Sequence, residues 1–378
     1  MINIGIDIGA ISVKVAAIAN NESDKQILSK IASESDNFFH IDEVKNSTFF
    51  NDKYILVSKY KRIKGMPMHS TYEILDELMN YIPEDKIGYV SVTGGGGKLF
   101  NQILGIPYIN DFKSVAQGVG TLYPDVRTIF EMGGDNSKYI QIDIDKETGT
   151  VGILDYEKNG ECAAGTGSFM DQQANRLKFE IEVVGDIVMK AGQSANIAGR
   201  CSVFAKSDMI HAQQKGIQRP EILKGLCDAV VRNFKGTIVK NRELHPKVAF
   251  IGGVSANKGI VQAMQSLFEL SDEEFFVPEY YAWMSAIGAG LLADKEKNPK
   301  SISKDDIKKL GEYVDTSAID FPTTQPLNTE KVIALRDKIK PYSFEGKTLP
   351  VDSYLGIDVG SVSTNLVVID ENGDHPVA

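Results

Sequence analysis

A repeat at the two ends of the chain limits what this protein can fold into. Residues 5–18 read GIDIGAISVKVAAI and residues 356–369 read GIDVGSVSTNLVVI, an offset of 351 residues (356 − 5). That offset is far longer than the about 20–50 residues of a solenoid unit, so it indicates two similar domains in tandem. Because the second copy covers only the first predicted hairpin, we expect it to be the truncated start of a further domain.

The stretch between the two copies differs in composition from the rest. Residues 295–354 are rich in proline, lysine and polar residues, and they lack apolar periodicity apart from a helical patch around 304–314. This composition predicts a linker or peripheral segment. We therefore expect a complete domain over residues 1–294 and the start of a second over 355–378. A helical insertion that carries two cysteines is expected at about 158–245 of the first domain.

Charge and composition exclude several classes of partner. The net charge of −10 argues against a nucleic-acid partner, because phosphate backbones are bound largely by basic residues. No apolar run approaches the about 20 residues needed to cross a bilayer, so no membrane partner is expected. Three cysteines fit a reducing compartment better than a disulfide framework. We predict a cytoplasmic protein.

Apolar periodicity predicts an α/β fold for residues 1–294. Strands are expected at 2–8, 12–19 and 89–93, a hairpin at 128–144, and a strand at 247–253. From residue 162 onward helices dominate, including one at 221–242 and a small-residue helix at 280–293. Mixed strands and helices of this kind indicate layered α/β packing.

Three glycine turns follow apolar strands and carry the chemistry expected of phosphate binding. The first, GIDIGAISVK, has Asp7 at a strand end; the second, FEMGGDNSK, has Glu131 there; the third is AFIGGVSANKG. Glycine lets backbone N–H groups approach phosphate oxygens closely, and a nearby carboxylate can hold magnesium through its waters. Each turn alone is equally typical of a tight hairpin. A run of four glycines at 94–97 favours a flexible turn, with a backbone surface near the nucleotide or a partner as the alternative.

Together, in this order, the turns resemble the phosphate-1, phosphate-2 and adenosine motifs of the actin-like ATPase superfamily. The resemblance spans residues 2–293 and implies an actin-like (ribonuclease H-like) fold, with two lobes around a cleft for ATP and Mg²⁺. It implies catalytic roles for Asp7 and Glu131. The nucleotide contacts that it implies are Gly9, Ser12, Lys14, Gly133, Gly134, Ser137, Gly252, Gly253 and Val254.

Two of the three cysteines precede predicted helices. Cys162 lies before AAGTGSFMDQQANRL and Cys201 before SVFAKSDMIHAQQ, where the positive end of a helix dipole favours thiolate. Either cysteine alone is more typical of a small buried apolar residue. Cys227 lies inside an amphipathic helix and is expected in the core. Neither C-x-x-C nor paired histidine spacing is present, so zinc is not expected.

The pattern CAAGTG followed by RCSVFAKSD, with the cysteines 39 residues apart (201 − 162), resembles the activators (archerases) of 2-hydroxyacyl-CoA dehydratases. These belong to the BadF/BadG/BcrA/BcrD ATPase family, and the second repeat resembles its large tandem type. The resemblance implies that Cys162 and Cys201 of two subunits jointly hold one [4Fe–4S] cluster. Such a cluster takes four thiolates, and a twofold homodimer supplies the second pair.

The resemblance also implies a function. An ATP-hydrolysing activator of anaerobic metabolism would receive an electron from a small reductant such as ferredoxin or flavodoxin. It would pass that electron to the iron–sulfur centre of an acyl-CoA dehydratase or related CoA-thioester reductase. In the family, the second phosphate turn usually carries Gln-Asp where this chain has Asp135 and Asn136. A sugar or amino-sugar kinase of the same fold, and a non-catalytic ATP-binding scaffold or sensor, are the alternatives.

Overall fold

The structure of the protein, a computed structural model, describes residues 1–41, 53–145, 147–160, 166–199, 201–316, 325, 328–333, 342–360 and 363–373. Within these ranges, no helix is long and apolar enough to span a lipid bilayer.

The secondary structure alternates strands and helices along the first 316 residues. The strands are β1 (Ile2–Ile8), β2 (Ser12–Ala19), β3 (Phe38–His40), β4 (Tyr54–Ser58), β5 (Lys61–Arg62), β6 (Ile87–Thr93), β7 (Thr128–Met132), β8 (Ser137–Ile144), β9 (Val151–Lys158), β10 (Val248–Ile251), β11 (Phe275–Phe276), β12 (Ser353–Val359) and β13 (Thr364–Asp370). The α-helices are α1 (Glu22–Glu34), α2 (Pro67–Tyr81), α3 (Gly97–Leu104), α4 (Asp111–Leu122), α5 (Gly167–Arg176), α6 (Ile181–Met189), α7 (Ser202–Gln214), α8 (Arg219–Phe234), α9 (Lys258–Phe268), α10 (Met284–Leu292) and α11 (Lys304–Thr316).

Two sheets share one strand arrangement. The first sheet has the order β3-β4-β2-β1-β6, with β5 paired to the start of β2, and the second has β11-β10-β7-β8-β9. In each, a hairpin (β1–β2 or β7–β8) is extended by an antiparallel strand on one side and by a parallel strand on the other. The fold therefore contains two related lobes, which we call the first lobe and the second lobe.

Separate cores stabilise the two lobes. Buried side chains of the first sheet pack with α1, α2, α3 and α11, whereas those of the second sheet pack with α5 to α9. A third cluster takes side chains from both sheets together with α4 and α10. Burial of apolar surface in these clusters is the main contribution to stability.

Helices α4 and α10 join the lobes through close backbone contact. A Cβ atom on Gly288 would lie 1.7 Å from the carbonyl oxygen of Ser114, and one on Gly118 would lie 2.1 Å from that of Met284. Because such distances are impossible for a side chain, glycine at both positions is required for this approach. The small-residue helix predicted at 280–293 is confirmed as α10.

Most predicted elements are confirmed, and one helix differs. β1 and β2 have the predicted bounds, and the predicted hairpin at 128–144 is β7–β8. The helix predicted over 221–242 is α8, which ends at Phe234 and continues as a π-helical turn, Lys235–Val239. Gly236 lies in this turn, where the absence of a side chain weakens regular α-helix.

The segment predicted as a linker contributes to the first lobe. Its predicted helical patch is confirmed as α11, and Ile302, Ile307 and Leu310 are buried in the first core. Further along, β12 and β13 pair as an antiparallel hairpin with mostly exposed side chains. The domain boundaries at 294 and 355 themselves stay a prediction.

Candidate functional site

The first phosphate turn is closed by its own backbone and holds a buried ion pair. The Gly9 N–H donates to the Ser12 carbonyl at 3.0 Å, which places Asp7 opposite Lys14 across the hairpin. Lys14 Nζ lies 2.7 Å from Asp7 Oδ2 and donates to Ser12 Oγ at 3.1 Å. All three side chains are buried, so a carboxylate, an ammonium and a hydroxyl converge under one glycine turn.

The second phosphate turn repeats this arrangement. The Gly133 N–H donates to the Asn136 carbonyl at 2.7 Å, and Glu131 stands opposite Lys138. Lys138 Nζ lies 2.5 Å from Glu131 Oε2. Ser137, predicted to contact nucleotide, is fully buried at the base of the turn, and its N–H donates to Asn159 Oδ1.

A third carboxylate, which the motif did not reveal, joins the second ion pair. Asp111, the first residue of α4, places Oδ2 3.1 Å from Lys138 Nζ. Burial lowers the pKa of the Lys138 ammonium, but the charges of Glu131 and Asp111 outweigh burial and raise it above its usual value. Burial raises the pKa of the Glu131 carboxyl, and Lys138 opposes that shift. Lys138 therefore remains a cation at neutral pH.

The four-glycine run lies against the first turn. Gly94 has φ of +84°, and a Cβ atom there would lie 2.6 Å from Asp7 Oδ1 and 2.5 Å from the Ile8 carbonyl oxygen. The Gly96 N–H donates to the same carbonyl at 2.9 Å. The backbone of this run therefore covers Asp7, which favours the alternative of a backbone surface near the phosphate turn.

The third turn packs on the second. Gly252 has φ of +89°, and a Cβ atom on it would lie 2.3 Å from the Met132 carbonyl oxygen. Its N–H donates to the Tyr281 carbonyl at 3.0 Å. The two phosphate turns also touch, because a Cβ atom on Gly134 would lie 2.3 Å from Ile11 Cγ1. The structure thus brings all three predicted turns together.

A cavity of about 430 Å³ opens between these turns and between the lobes. Its volume lies in the range that holds a small ligand such as a nucleoside. Four of the predicted residues line it, Gly133, Gly134, Gly253 and Val254; the others do not, namely Asp7, Gly9, Ser12, Lys14, Glu131, Ser137 and Gly252. Lining residues that were not predicted to contact nucleotide include Ile11, Tyr60, Arg62, Met170, Asp171, Glu182, Asn257, Tyr281 and Trp283.

The structure describes two of the three cysteines. Cys162 lies outside the described residues. Cys201 is the half-buried N-cap residue of α7, and Cys227 is fully buried in α8, where burial raises the pKa of its thiol. Across the described ranges, no group of three or more His, Cys, Asp or Glu side chains is arranged to hold a metal ion. The core position predicted for Cys227 is confirmed.

Two related lobes that close glycine turns around one cavity are the architecture of the actin-like ATPases, as the sequence predicted. The chain belongs to the BadF/BadG/BcrA/BcrD ATPase family, whose model matches residues 4–293. It is therefore an ATPase of that family.

Named relatives agree with this assignment. The chain is 29% identical over 215 residues to the 2-hydroxyisocaproyl-CoA dehydratase activator of Clostridioides difficile, covering 57% of this chain and 77% of the relative. It is 31% identical over 212 residues to the activator of lactoyl-CoA dehydratase of Anaerotignum propionicum, covering 56% and 78%.

A solved structure shares the fold. The activator of the 2-hydroxyisocaproyl-CoA dehydratase from Clostridium difficile with bound ADPNP aligns with a TM-score of 0.59 at 25% identity. The alignment covers 80% of this chain and 100% of the activator.

Proposed function

We propose that this ATPase activates a 2-hydroxyacyl-CoA dehydratase or a related CoA-thioester reductase by passing it a low-potential electron. The observation that carries the proposal is that the N-terminal ends of α5 and α7 lie beside one small cavity. Phe169, in the first turn of α5, and Cys201, at the tip of α7, line the same small cavity. Since Cys162 precedes Phe169 by only seven residues, this supports two cysteine-bearing tips at one end of the second lobe.

Two hydrogen bonds fix the backbone of residues 197 and 198, a few residues before Cys201. The Ala198 N–H donates to Asp208 Oδ2 at 2.8 Å, and Arg232 donates to the Ile197 carbonyl at 2.7 Å. Cys201 is half-buried at the N-cap position of α7. These features suit a cluster ligand. When bound, a [4Fe–4S] cluster would supply a one-electron carrier at this tip.

A second copy of the chain would complete the ligand set. Cys162 and Cys201 provide two thiolates, whereas a cluster normally takes four. Val203 and Phe204 lie two and three residues after Cys201, and each is 65% exposed. Exposed large apolar side chains beside the ligand support a twofold contact at this end of the lobe.

In the nucleotide site, we assign Asp7 to hold Mg²⁺ through its waters and to orient the attacking water, with Glu131 facing it from the other turn. Lys14 and Ser12 would face phosphate oxygens, together with backbone N–H groups at Gly9, Gly133 and Gly134. The adenosine side would be lined by Gly252, Gly253 and Val254. Ser137, whose hydroxyl is buried, would support the phosphate side. Hydrolysis would convert ATP and water to ADP and phosphate while the lobes change their separation. A small reductant such as ferredoxin or flavodoxin would supply the electron.

The test is anaerobic purification with iron and sulfide counted per chain. Wild type and Cys227→Ala should hold about four iron atoms per two chains, since Cys227 is buried away from the tips. Cys162→Ser and Cys201→Ser should each lose most of the iron. Phe204→Asp keeps all three cysteines but should lower both iron and dimer content. Equal iron in wild type and both serine variants would refute the cluster assignment.

A further inference from the structure

Arg62 bridges the two lobes at the mouth of the cavity. It belongs to β5 of the first lobe, and its guanidinium contacts two carboxylates of the second lobe. Nη2 bonds to Asp171 of α5, and Nη1 lies 3.2 Å from Glu182 Oε1 of α6. All three side chains line the cavity. An interlobe ion-pair group therefore forms part of the cavity wall.

Strand pairing attaches Arg62 to the first phosphate turn. Arg62 is the register partner of Ser12 in the β2–β5 pair, and the Ile63 N–H donates to the Ile11 carbonyl at 2.9 Å. These bonds leave little freedom for the turn to move without β5. A displacement of residues 9–12 is thus transmitted to the Arg62 backbone.

On the other side, α5 is attached to the second phosphate turn. The N–H groups of Gly167 and Ser168 donate to the carbonyls of Gly133 and Gly134, each at 2.9 Å. Ser168 Oγ donates to Asp135 Oδ1 at 3.1 Å. Asp171 lies one turn further along the same helix, so its carboxylate moves with the second turn.

We propose that Arg62 is a positioning residue that links the two phosphate turns across the cavity, retains bound adenine nucleotide and transmits closure of the site to α5. The nucleotide part rests on the proposed function. Helix α5 is the element that begins just after Cys162, so this link would connect the nucleotide site with one cysteine-bearing tip.

The two carboxylates contribute unequally. Asp171 is 24% exposed, whereas Glu182 is 65% exposed. An exposed ion pair gives little net stabilisation, and a more buried pair that also orients a rigid helix gives more. The contact between Arg62 and Asp171 therefore accounts for most of the coupling between the two phosphate turns. Removing the Arg62 charge would also leave two unneutralised carboxylates on the path of a polyanionic triphosphate, which slows its entry.

The experiment measures release of a fluorescent ADP analogue by stopped flow from the full chain. Arg62→Gln should release it about 10-fold faster and Asp171→Asn about 5-fold faster, within the range of ordinary coupling between sites. Glu182→Gln should stay within about twofold of wild type, as expected of an exposed pair. Arg62→Lys, which keeps the charge but loses the planar two-pronged contact, should lie between wild type and Arg62→Gln.

Arg242→Gln is the matched control. Arg242 also bridges two carboxylates, Asp155 at 2.6 Å and Glu157 at 3.6 Å, but both lie in β9 of the second lobe. Its loss should leave release unchanged. A general effect of removing a bridging arginine would appear equally in Arg242→Gln and would overturn the proposal.

Hydrogen exchange of the nucleotide-free protein gives an independent measure. Arg62→Gln should speed exchange of amides in 167–176 and 9–12, whereas Arg242→Gln should not. If wild type binds no adenine nucleotide but Arg62→Gln still loosens both segments, the ATPase role fails while the link stands. If wild type binds nucleotide and Arg62→Gln matches it in release or in exchange, the proposed link fails and the ATPase role stands.

Discussion

The two phosphate hairpins share one backbone plan but differ in what surrounds it. An offset of 124 residues (131 − 7 and 138 − 14) maps Asp7 and Lys14 onto Glu131 and Lys138. The same offset maps the bond from Gly9 N–H to Ser12 onto the bond from Gly133 N–H to Asn136. Each turn therefore presents a carboxylate and an ammonium in the same cross-strand register.

The surroundings assign different tasks to the two pairs. Lys14 meets one carboxylate and one hydroxyl, and the glycine backbone at Gly94 lies against Asp7. Lys138 is more deeply buried and joins Glu131 of β7 to Asp111 of α4. The first pair, which has no third ion-pair partner among the residues that the structure describes, is therefore the one that we propose contacts magnesium or phosphate. The second pair is tied to α4, one of the helices that connect the lobes, so it suits a positioning role.

Removing the two lysines should give the largest contrast. Lys138→Met leaves two carboxylates without their cation, Glu131 (12% exposed) and Asp111 (27% exposed), and should cost about 3–5 kcal/mol of unfolding free energy. Lys14→Met leaves one carboxylate and should cost about 1–3 kcal/mol. Urea denaturation followed by circular dichroism measures both. Equal losses of unfolding free energy would show that Asp111 does not contribute to the second ion pair. Combining Lys138→Met with Glu131→Gln should regain part of the stability.

Removing the two carboxylate charges should separate catalysis from positioning. Asp7→Asn should lower kcat for ATP hydrolysis about 10²-fold, because an amide lacks the negative charge that attracts hydrated magnesium and cannot accept a proton. Glu131→Gln should lower kcat less, because Lys138 and Asp111 already engage that position. Initial-rate phosphate release at saturating ATP measures both. A deeper loss in Glu131→Gln would assign the principal catalytic carboxylate to the second hairpin.

Adding a methyl group to Gly94, in the glycine run that lies against Asp7, should destabilise only the first hairpin. Gly94→Ala places a Cβ atom against Asp7 at a positive φ and should cost about 1–3 kcal/mol in thermal or urea unfolding. Gly95→Ala is the matched control, since a Cβ atom there meets nothing within 4 Å. Similar losses in the two variants would mean that the run is a plain turn rather than a cover for Asp7.

The C-terminal hairpin, β12–β13, suggests the substitution of Lys14 that should have the smallest effect on stability. Asn365 stands where the first copy has Lys14, and its Nδ2 lies 3.3 Å from Asp358 Oδ2, so an amide can replace the ammonium across this register. Lys14→Asn should therefore cost only about 0.5–1.5 kcal/mol of stability, the contribution of one hydrogen bond. Its ATP affinity should fall about tenfold, or about 1.4 kcal/mol, because the positive charge is lost. Calorimetric titration measures the affinity, and unchanged affinity would remove Lys14 from the phosphate contacts.

Local sequence patterns predicted the hairpins and their turns well. Apolar runs that are buried along their whole length define β1 and β2, and glycine beside an acidic strand end marks both phosphate turns. These signals arise within about ten residues, where period and turn chemistry decide the backbone. For the same reason the helices after Cys162 and Cys201 were predictable, as was the burial of Cys227.

Other site residues carry no local signal. Asp111 follows the ordinary N-cap residue Asn110, and Arg62 lies in a two-residue strand. Their importance comes from partners 27 and 109 residues away (138 − 111 and 171 − 62), in elements that meet only after both lobes have formed.

The paired acidic glycine turns, and the two cysteines that precede helices, could be read from the amino-acid order because they depend on short-range backbone preferences. Three contacts became visible only in the folded chain: Lys138 between two carboxylates, a glycine backbone against Asp7, and Arg62 reaching across to Asp171. Those contacts depend on how α4 and α10 set the distance between the lobes, a packing relation that side-chain order along the chain does not encode locally.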